Sequence, residues 1–253
     1  MIKPHSLESR IVLAVTIAAG LLSGCTVGGT NIDNGIVKGS GNVVTVQREV
    51  SGIKEVVLTM SGRLTIEQTG QESLTLEGED NILPLITTGV TEGRLTISLI
   101  NNEGPVGFSN TKPLNYRLSV KDLSYLGNTG SGEVEVLDLQ SDKVTTEASG
   151  SGNISIGKIT TQDYAVVGTG SGNITASGTS IRQTVGLSGS GDYNGRSLET
   201  MGAIVEVSGS GSATVWASKS LSATVSGSGS IRYMGSPVVT KQVSVSGKVE
   251  PLR

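Results

Sequence analysis

The tripeptide Gly-Ser-Gly recurs six times at a nearly constant spacing in the second half of this chain of 253 residues. Its first glycine lies at Gly130, Gly150, Gly170, Gly189, Gly209 and Gly227, in steps of 20, 20, 19, 20 and 18 residues. A degraded seventh copy follows at Gly247. Self-similarity at a period near 20 residues is typical of a solenoid, in which each repeat is one coil that buries its apolar face against its neighbours. The repeat therefore predicts one elongated domain rather than several globular ones.

The composition supports a folded β-protein. The chain contains 36 glycines, and they are accompanied by the strand formers Val, Ile and Thr rather than by Pro and Gln. The formal net charge is −3, so the chain lacks the basic field that attracts nucleic acid. We therefore expect no nucleic-acid partner.

Alternation around the tripeptide predicts which side chains face the interior. In the fifth copy every second position is apolar or glycine, namely Val205, Val207, Gly209, Gly211, Ala213 and Val215. The intervening positions are Ser, Thr or Glu. Because successive side chains of a strand point to opposite faces, the glycines are expected to point inward and the serines outward. A further apolar residue in each repeat predicts another wall, with members Leu139, Ile159, Ile181, Leu198 and Leu221.

These features together predict the fold class. A coil of about 20 residues with two or three short strands has the size of one turn of a parallel β-helix, and parallel crossovers are right-handed almost without exception. The predicted fold is therefore an all-β, single-stranded right-handed parallel β-helix over residues 43–250. Its regular repeats are predicted over residues 126–250.

Residues 43–125 contain less regular runs of alternating apolar and polar residues, which predict further strands. Two interruptions break this pattern. Residues 80–86 predict a short helix, with Asp80 as a possible N-cap and Pro84 in the first turn. Residues 101–113 carry Asn, Gly and two prolines and predict a loop.

The outward positions of the repeats form rows of hydroxyl groups when the coils stack about 4.8 Å apart. Two Asn residues directly after the tripeptide extend these rows. We expect this face to bind a partner through Ser149, Ser151, Thr169, Ser171, Ser188, Ser190, Ser208, Ser210, Ser226 and Ser228, with Asn153 and Asn173 beside them.

The N-terminus has the pattern of a secretion signal. Lys3 and Arg10 precede an apolar run over residues 11–22, which is too short to span a bilayer but suits a signal peptide. The run ends in Leu22-Ser23-Gly24-Cys25, which resembles the lipobox of bacterial lipoproteins. This resemblance implies a signal peptide over residues 1–24, lipid attachment at Cys25 and, because the next residue is not Asp, sorting to the outer membrane. An ordinary signal peptide with an incidental cysteine is the alternative. Residues 25–42 are rich in Gly, Asn and Thr and predict a flexible tether.

Several kinds of catalytic site are excluded by the residues that the mature chain would lack. Cleavage before Cys25 would remove His5, the only histidine, and Cys25 is the only cysteine. A Ser-His-Asp triad, a Cys-His pair and every His/Cys metal site are therefore excluded. For calcium, Gly189-Ser190-Gly191-Asp192 is only a partial likeness to a β-roll signature, so we predict no metal and no cofactor.

Paired carboxylates, which a glycosidase requires about 5–9.5 Å apart, are also not expected. The row of positions after the tripeptide reads Glu133, Asn153, Asn173, Asp192, Ser212, Ser230 and Lys248. Its two acids are three coils apart, or about 14 Å at the spacing between coils. Glu135 shares a strand face with Glu133, but the corresponding residues of the next coil are Asn and Ser. We therefore predict that the chain is not an enzyme.

The repeats resemble a known family. Segments such as Ser149-Gly150-Ser151-Gly152-Asn153-Ile154, followed at the end by Val245-Ser246-Gly247-Lys248-Val249, are similar to the head GIN domain of autotransporter adhesins. The similarity extends from about Val44 to Val249. It implies a right-handed β-helix in secreted or lipid-anchored bacterial proteins, and it implies no catalytic residues.

The predicted function is that of a non-enzymatic, lipid-anchored protein of the cell envelope. Its partners are expected to be the membrane, through Cys25, and a glycan or surface protein, through the hydroxyl rows. Two alternatives remain at this stage. One is a β-helix enzyme that acts on polysaccharide, and the other is a structural spacer of an envelope assembly that oligomerises along one wall.

Overall fold

The computed structural model describes residues 32–33, 35–100, 107–244 and 246–252, and these residues form twenty β-strands and one short 3₁₀ helix. The irregular part contains β1 (Ile32–Asp33), β2 (Ile36–Lys38), β3 (Val43–Arg48), β4 (Glu55–Leu58), β5 (Arg63–Gln68), β6 (Ser73–Glu79), the 3₁₀ helix (Leu83–Leu85), β7 (Ile86–Thr91), β8 (Arg94–Leu99), β9 (Gly107–Ser109) and β10 (Asn115–Val120). The regular part contains β11 (Tyr125–Asn128), β12 (Glu133–Gln140), β13 (Lys143–Ala148), β14 (Ile154–Gly168), β15 (Ile174–Leu187), β16 (Tyr193–Val207), β17 (Ser212–Val225), β18 (Ser230–Met234), β19 (Val238–Val243) and β20 (Lys248–Pro251).

The regular strands stack in parallel and form two walls. The first wall runs through β5, β12, β14, β15, β16, β17, β18 and β20. The second wall runs through β4, β11, β13, β14, β15, β16, β17 and β19. Strands β14 to β17 are long enough to contribute to both walls. Paired residues are one repeat apart, as in Ile154 with Ile174. The predicted parallel β-helix is therefore confirmed, with about six turns.

The side chains predicted to form the core lie inside it, with one exception. Val205, Val207 and Val215 are at most 1% exposed, and the mid-coil residues Leu139, Ile159, Leu198 and Leu221 are buried as well. Leu221 is buried, but it pairs with Ala203 on the second wall and not within the row of Leu198, so its placement was wrong. Ile181 is 44% exposed, so its placement in this row was wrong as well. Gly178 takes its place, since it pairs with Ile159 on one side and Leu198 on the other. This coil is one residue shorter than its neighbours, and Ile181 therefore lies on the outer face.

The prediction that the repeat glycines point into the interior was wrong. A Cβ atom placed on Gly209 would overlap with the carbonyl oxygen of Gly189 and the backbone of Ser188 in the preceding coil. The first glycines of the other copies meet the preceding coil in the same way. The missing side chain therefore points along the stack toward the neighbouring coil, and not into the interior. Alternation fails here because the chain turns a corner at the tripeptide.

Strands from the irregular part extend both walls at the N-terminal end of the β-helix. On the first wall, β10 pairs in parallel with β5. Strand β6 pairs antiparallel with β10, and β3 pairs antiparallel with β6. On the second wall, β8 pairs in parallel with β4, and β7 adds to β8 in antiparallel fashion. The extra strands place β3 and β7 at the N-terminal edges of the two walls.

Three local predictions in this region needed correction. The tether was predicted to reach residue 42, but β2 pairs with β9 and Val37 is buried in the core. Strand β9 also lies inside the segment predicted as a loop. The short helix is present as a 3₁₀ helix, but Asp80 does not cap it, because its carboxylate accepts hydrogen bonds from the side chains of Ser40 and Asn42.

The predicted signal peptide and Cys25 lie outside the described residues. Among the residues that are described, no helix has the length and apolar character needed to cross a membrane.

Candidate functional site: the hydroxyl rows at one corner of the β-helix

Each Gly-Ser-Gly forms the corner at which the chain leaves the second wall and enters the first. In the fifth copy, β16 ends at Val207 and β17 begins at Ser212. Backbone hydrogen bonds continue from coil to coil around this corner. The amide of Ser171 donates to the carbonyl of Gly150 at 3.0 Å, and that of Ser190 donates to Gly170 at 3.0 Å. The corners are thus held in register, and equivalent serines lie above one another.

All twelve residues predicted to form the binding face are exposed. They comprise the ten Ser and Thr residues of the two rows together with Asn153 and Asn173. Within the described part of the chain, only one of the ten hydroxyls has an intramolecular partner, since the Ser208 hydroxyl lies 3.5 Å from the carbonyl of Leu187. The remaining hydroxyls can hydrogen-bond to solvent or to a bound molecule.

Asn153 and Asn173 have a structural contact that was not predicted from the sequence. The Oδ1 atom of Asn153 accepts a hydrogen bond from the amide of Asn173 at 2.9 Å, and Oδ1 of Asn173 accepts one from the amide of Asp192 at 2.9 Å. The Asp192 carboxylate then accepts from the amide of Ser212 at 2.7 Å. These side chains link consecutive coils by accepting hydrogen bonds from backbone amides of the next coil. The row of Asn and Asp at one repeat position was the signal for this role.

A second set of hydroxyls lies at the opposite corner and provides an internal comparison. It also follows the repeat and consists of Ser141, Thr161, Ser180, Thr200 and Ser218. The Thr161 hydroxyl lies 3.0 Å from the carbonyl oxygen of Asp142, and the Ser180 hydroxyl lies 2.7 Å from that of Arg182. Thr161, Ser180 and Thr200 are buried. All five hydroxyls of this set hydrogen-bond to backbone carbonyl oxygens, whereas the residues of the Gly-Ser-Gly rows are exposed.

A shallow groove of about 300 Å³ runs beside one of the exposed rows. It forms on the outer face of the second wall because Gly186 has no side chain between its neighbours. Four row residues line it, namely Thr169, Ser188, Ser208 and Ser226. Glu206 and Thr224 also line the groove, and neither was predicted from the sequence. The groove therefore combines hydroxyl groups with one carboxylate.

Several of the outward carboxylates are engaged in ion pairs. Arg63 lies 2.6 Å from Glu133 and 3.5 Å from Glu135, so one guanidinium is shared by the two carboxylates. Asp163 pairs with Arg182 at 2.6 Å, and this hydrogen bond holds the pKa of Asp163 below its ordinary value. The register also confirms that Glu133 and Asp192 occupy one row three coils apart.

A concavity of about 970 Å³ lies at the corner opposite the tripeptides. It is polar, and Asp122, Asp138 and Asp142 line it. Asp138 lies 3.2 Å from the Lys158 ammonium, and Asp142 accepts a hydrogen bond from Gln162 at 3.1 Å. Throughout the described ranges, no group of three or more His, Cys, Asp or Glu side chains could hold a metal ion.

Comparison with solved structures gives the same fold. A structure described as a putative adhesin from Bacteroides fragilis is 25% identical, with a TM-score of 0.80 over 85% of this chain and 100% of that one. A putative lipid binding protein from Parabacteroides distasonis is 22% identical, with a TM-score of 0.71 over 86% and 99% of the two chains. A putative adhesin from Parabacteroides merdae is 18% identical, with a TM-score of 0.68 over 86% and 99%.

No curated protein sequence matches the chain. The family model described as "Putative auto-transporter adhesin, head GIN domain" matches residues 52–237, which include all the exposed hydroxyls of the two rows. This match covers well over half of the chain and confirms the resemblance noted in the repeats. The chain therefore belongs to the head GIN domain family.

Proposed function

We propose that this protein is a non-enzymatic protein of the bacterial cell envelope that binds a glycan or a surface protein through the exposed hydroxyl rows. The contrast between the two sets of hydroxyls carries this proposal. At the opposite corner the hydroxyls are bonded to backbone carbonyls, as expected of side chains that serve the fold. The hydroxyls of the Gly-Ser-Gly rows repeat as regularly, but nine of the ten have no partner in the described structure.

The groove beside the rows supports a polar ligand. A hydroxyl can both donate and accept a hydrogen bond, and a carboxylate accepts only. Glu206 and the four groove-lining hydroxyls therefore match the mixed donors and acceptors of a sugar or a polypeptide backbone. Because the rows repeat with every coil, a long ligand would meet several weak sites at once and gain affinity by avidity.

The binding face is tested by replacing four exposed serines with lysine. Such a variant replaces small hydroxyls with long charged side chains across two coils, and the altered positions are Ser208, Ser210, Ser226 and Ser228. We expect it to lose most of the binding of the unaltered protein to intact cells or to a glycan array. Binding is measured as retained protein per cell and as array signal.

The matched control carries the same four added charges elsewhere on the exposed surface. Suitable exposed positions away from the rows are Thr160, Thr179, Ser197 and Ser220. The control is expected to bind as the unaltered protein does. Equal binding by both variants would contradict the proposed face and would favour a spacer role.

The proposal includes a lipid anchor on Cys25 and residence in the outer membrane, supported by the lipobox-like residues that precede it. Replacement of Cys25 by serine removes the only thiol of the chain. We expect the Cys25→Ser variant to lose incorporation of labelled palmitate and to leave the membrane fraction. Membrane-bound, palmitate-labelled Cys25→Ser protein would contradict the anchor.

A further inference from the structure

A separate, mainly apolar groove lies at the N-terminal end of the β-helix, remote in sequence from the Gly-Ser-Gly rows. It has a volume of about 600 Å³, and its apolar lining consists of Val44, Val46, Leu83, Pro84, Ile86 and Ile100. Strands β3 and β7 form its sides, and the 3₁₀ helix contributes Leu83 and Pro84. In the described part of the chain, β3 pairs only with β6 and β7 only with β8. The groove therefore lies where the two walls end.

One charged residue occupies an apolar position of this groove. Along β3, Val44 and Val46 are half-buried, while Thr45 and Gln47 are exposed. The same alternation places Arg48 on the groove side, where another apolar residue would be expected. Arg48 is half-buried and lines the groove.

Within the described residues, the guanidinium of Arg48 has few hydrogen-bond partners. Its Nε atom is buried and has no partner among them, and its Nη2 atom lies 3.4 Å from the carbonyl oxygen of Leu83. Among the described ion pairs of 4.0 Å or less, none involves Arg48. A buried donor without a partner is costly, so an anion in the groove would be stabilised by this group.

The acid at the rim of the groove does not provide that anion. Both oxygens of the Asp80 carboxylate are engaged, one by the Ser40 hydroxyl at 2.6 Å and the other by the Asn42 amide at 2.8 Å. These hydrogen bonds hold the pKa of Asp80 below its ordinary value. Asp80 is therefore charged at neutral pH and directed toward the segment before β3.

We propose that this groove binds a single-chain amphiphile with a carboxylate head, namely a fatty-acid anion. The planar guanidinium fork suits a carboxylate, and the apolar lining suits an acyl chain. A volume of about 600 Å³ lies within the usual range for small-ligand sites. The site is independent of the proposed function, because none of its residues belongs to the hydroxyl rows.

Photo-crosslinking with a diazirine derivative of dodecanoate tests this site on the full chain as isolated from the producing cells. Crosslinked peptides are mapped by mass spectrometry, so that binding at the groove is distinguished from binding elsewhere. We expect crosslinks in residues 43–48 and 83–100. Unlabelled dodecanoate should displace the probe, and dodecyltrimethylammonium at the same concentration should not.

Two arginine variants separate the role of the charge from a general effect. Arg48→Met keeps a long apolar side chain but removes the cation, and we expect at least about a tenfold loss of groove labelling. Arg117→Met is the matched control, since Arg117 lies on nearby β10 with a side chain 72% exposed. Arg117→Met should label as the unaltered protein does.

A third variant keeps the test valid if Arg48→Met does not fold. Thr88 lines the groove, and Thr88→Trp should fill it and abolish labelling without changing the charge. The melting temperature of each variant shows whether it is folded. Absence of crosslinks at the groove, equal displacement by the cationic amphiphile, or full labelling of folded Arg48→Met would each overturn the proposal.

Discussion

Neighbouring coils can stack at each Gly-Ser-Gly corner because neither glycine carries a Cβ atom. The backbone of Gly209 does not have a positive φ, so its glycine is not required by the local conformation. It is required by space, because a Cβ atom would overlap with the backbone of Gly189 and Ser188. A backbone that is hydrogen-bonded on both sides cannot move away without disturbing several coils.

Gly209→Ala is therefore expected to destabilise the protein by about 1–3 kcal/mol, the range observed when extra atoms are forced into packed regions. Gly186→Ala is the control within the same β-helix, because the nearest atom to its added Cβ would be the Val166 carbonyl oxygen at 4.0 Å. The control should change stability by less than about 0.5 kcal/mol. Urea unfolding measures both values, and equal midpoints for the two variants would contradict the close approach.

At the scale of elements, one carboxylate holds two peripheral segments against the end of the β-helix. Glu79, the last residue of β6, is 1% exposed. It accepts hydrogen bonds from the amide of Gly41 at 2.6 Å and from the amide and hydroxyl of Thr111 at 2.7 and 2.6 Å. The segments after β2 and β9 thus meet at one side chain.

The stability of this junction is expected to depend on pH. Burial raises the pKa of Glu79, but its hydrogen bonds to Thr111, Gly41 and Lys112 outweigh burial and lower the pKa below the ordinary value of 4.5. A lowered pKa in the folded state means that the stabilisation is complete above pH 4.5 and is lost as the pH falls through the lowered value. Hydrogen exchange of residues 36–42 and 107–113 should therefore accelerate, after correction for intrinsic rates, between pH 5 and pH 3.

Glu79→Gln separates this effect from general acid unfolding. The variant should already exchange faster in these segments at pH 6, because charge-assisted hydrogen bonds are lost. The free energy of opening these segments should fall by about 1.5–3 kcal/mol. It should also show less further change on acidification than the unaltered protein. An identical pH response in both proteins would contradict the role of Glu79.

In the irregular elements, the strand pairing could not be predicted from the sequence periodicity. The regular coils could be predicted because each residue pairs with one about 20 positions away and repeats its neighbour's chemistry. Strand β5 instead pairs with β12, so that Arg63 lies beside Glu133 across 70 positions, and no repeat marks that pairing. The groove around Arg48 is formed by antiparallel strands outside the repeat, so it could not be predicted from the periodicity. The positions of the hydroxyl rows could be predicted from the sequence, because these rows follow the repeat.

At the scale of the whole molecule, the contacts of a regular coil are mainly with the coils directly before and after it. Strand β14 pairs with β12 and β13 on one side and with β15 on the other. Stability in such a solenoid is approximately a sum over coils and their interfaces. Removing one complete period should therefore bring two compatible coils together, with every side chain on its proper face.

Deletion of residues 150–169, which span one period of 20, joins Ser149 to Gly170. In the unaltered protein the Ser180 hydroxyl donates to the carbonyl oxygen of Gln162. In the deletion variant it would lie beside the carbonyl oxygen of Asp142, which accepts from Thr161 in the unaltered protein. We expect this variant to fold, with the circular dichroism of a β-protein and a lower melting temperature.

Deletion of residues 150–159 removes only half a coil, places the corner glycines against a wall and should prevent folding. Cooperative unfolding of the half-coil variant, or failure of the full-coil variant to fold, would contradict a modular β-helix.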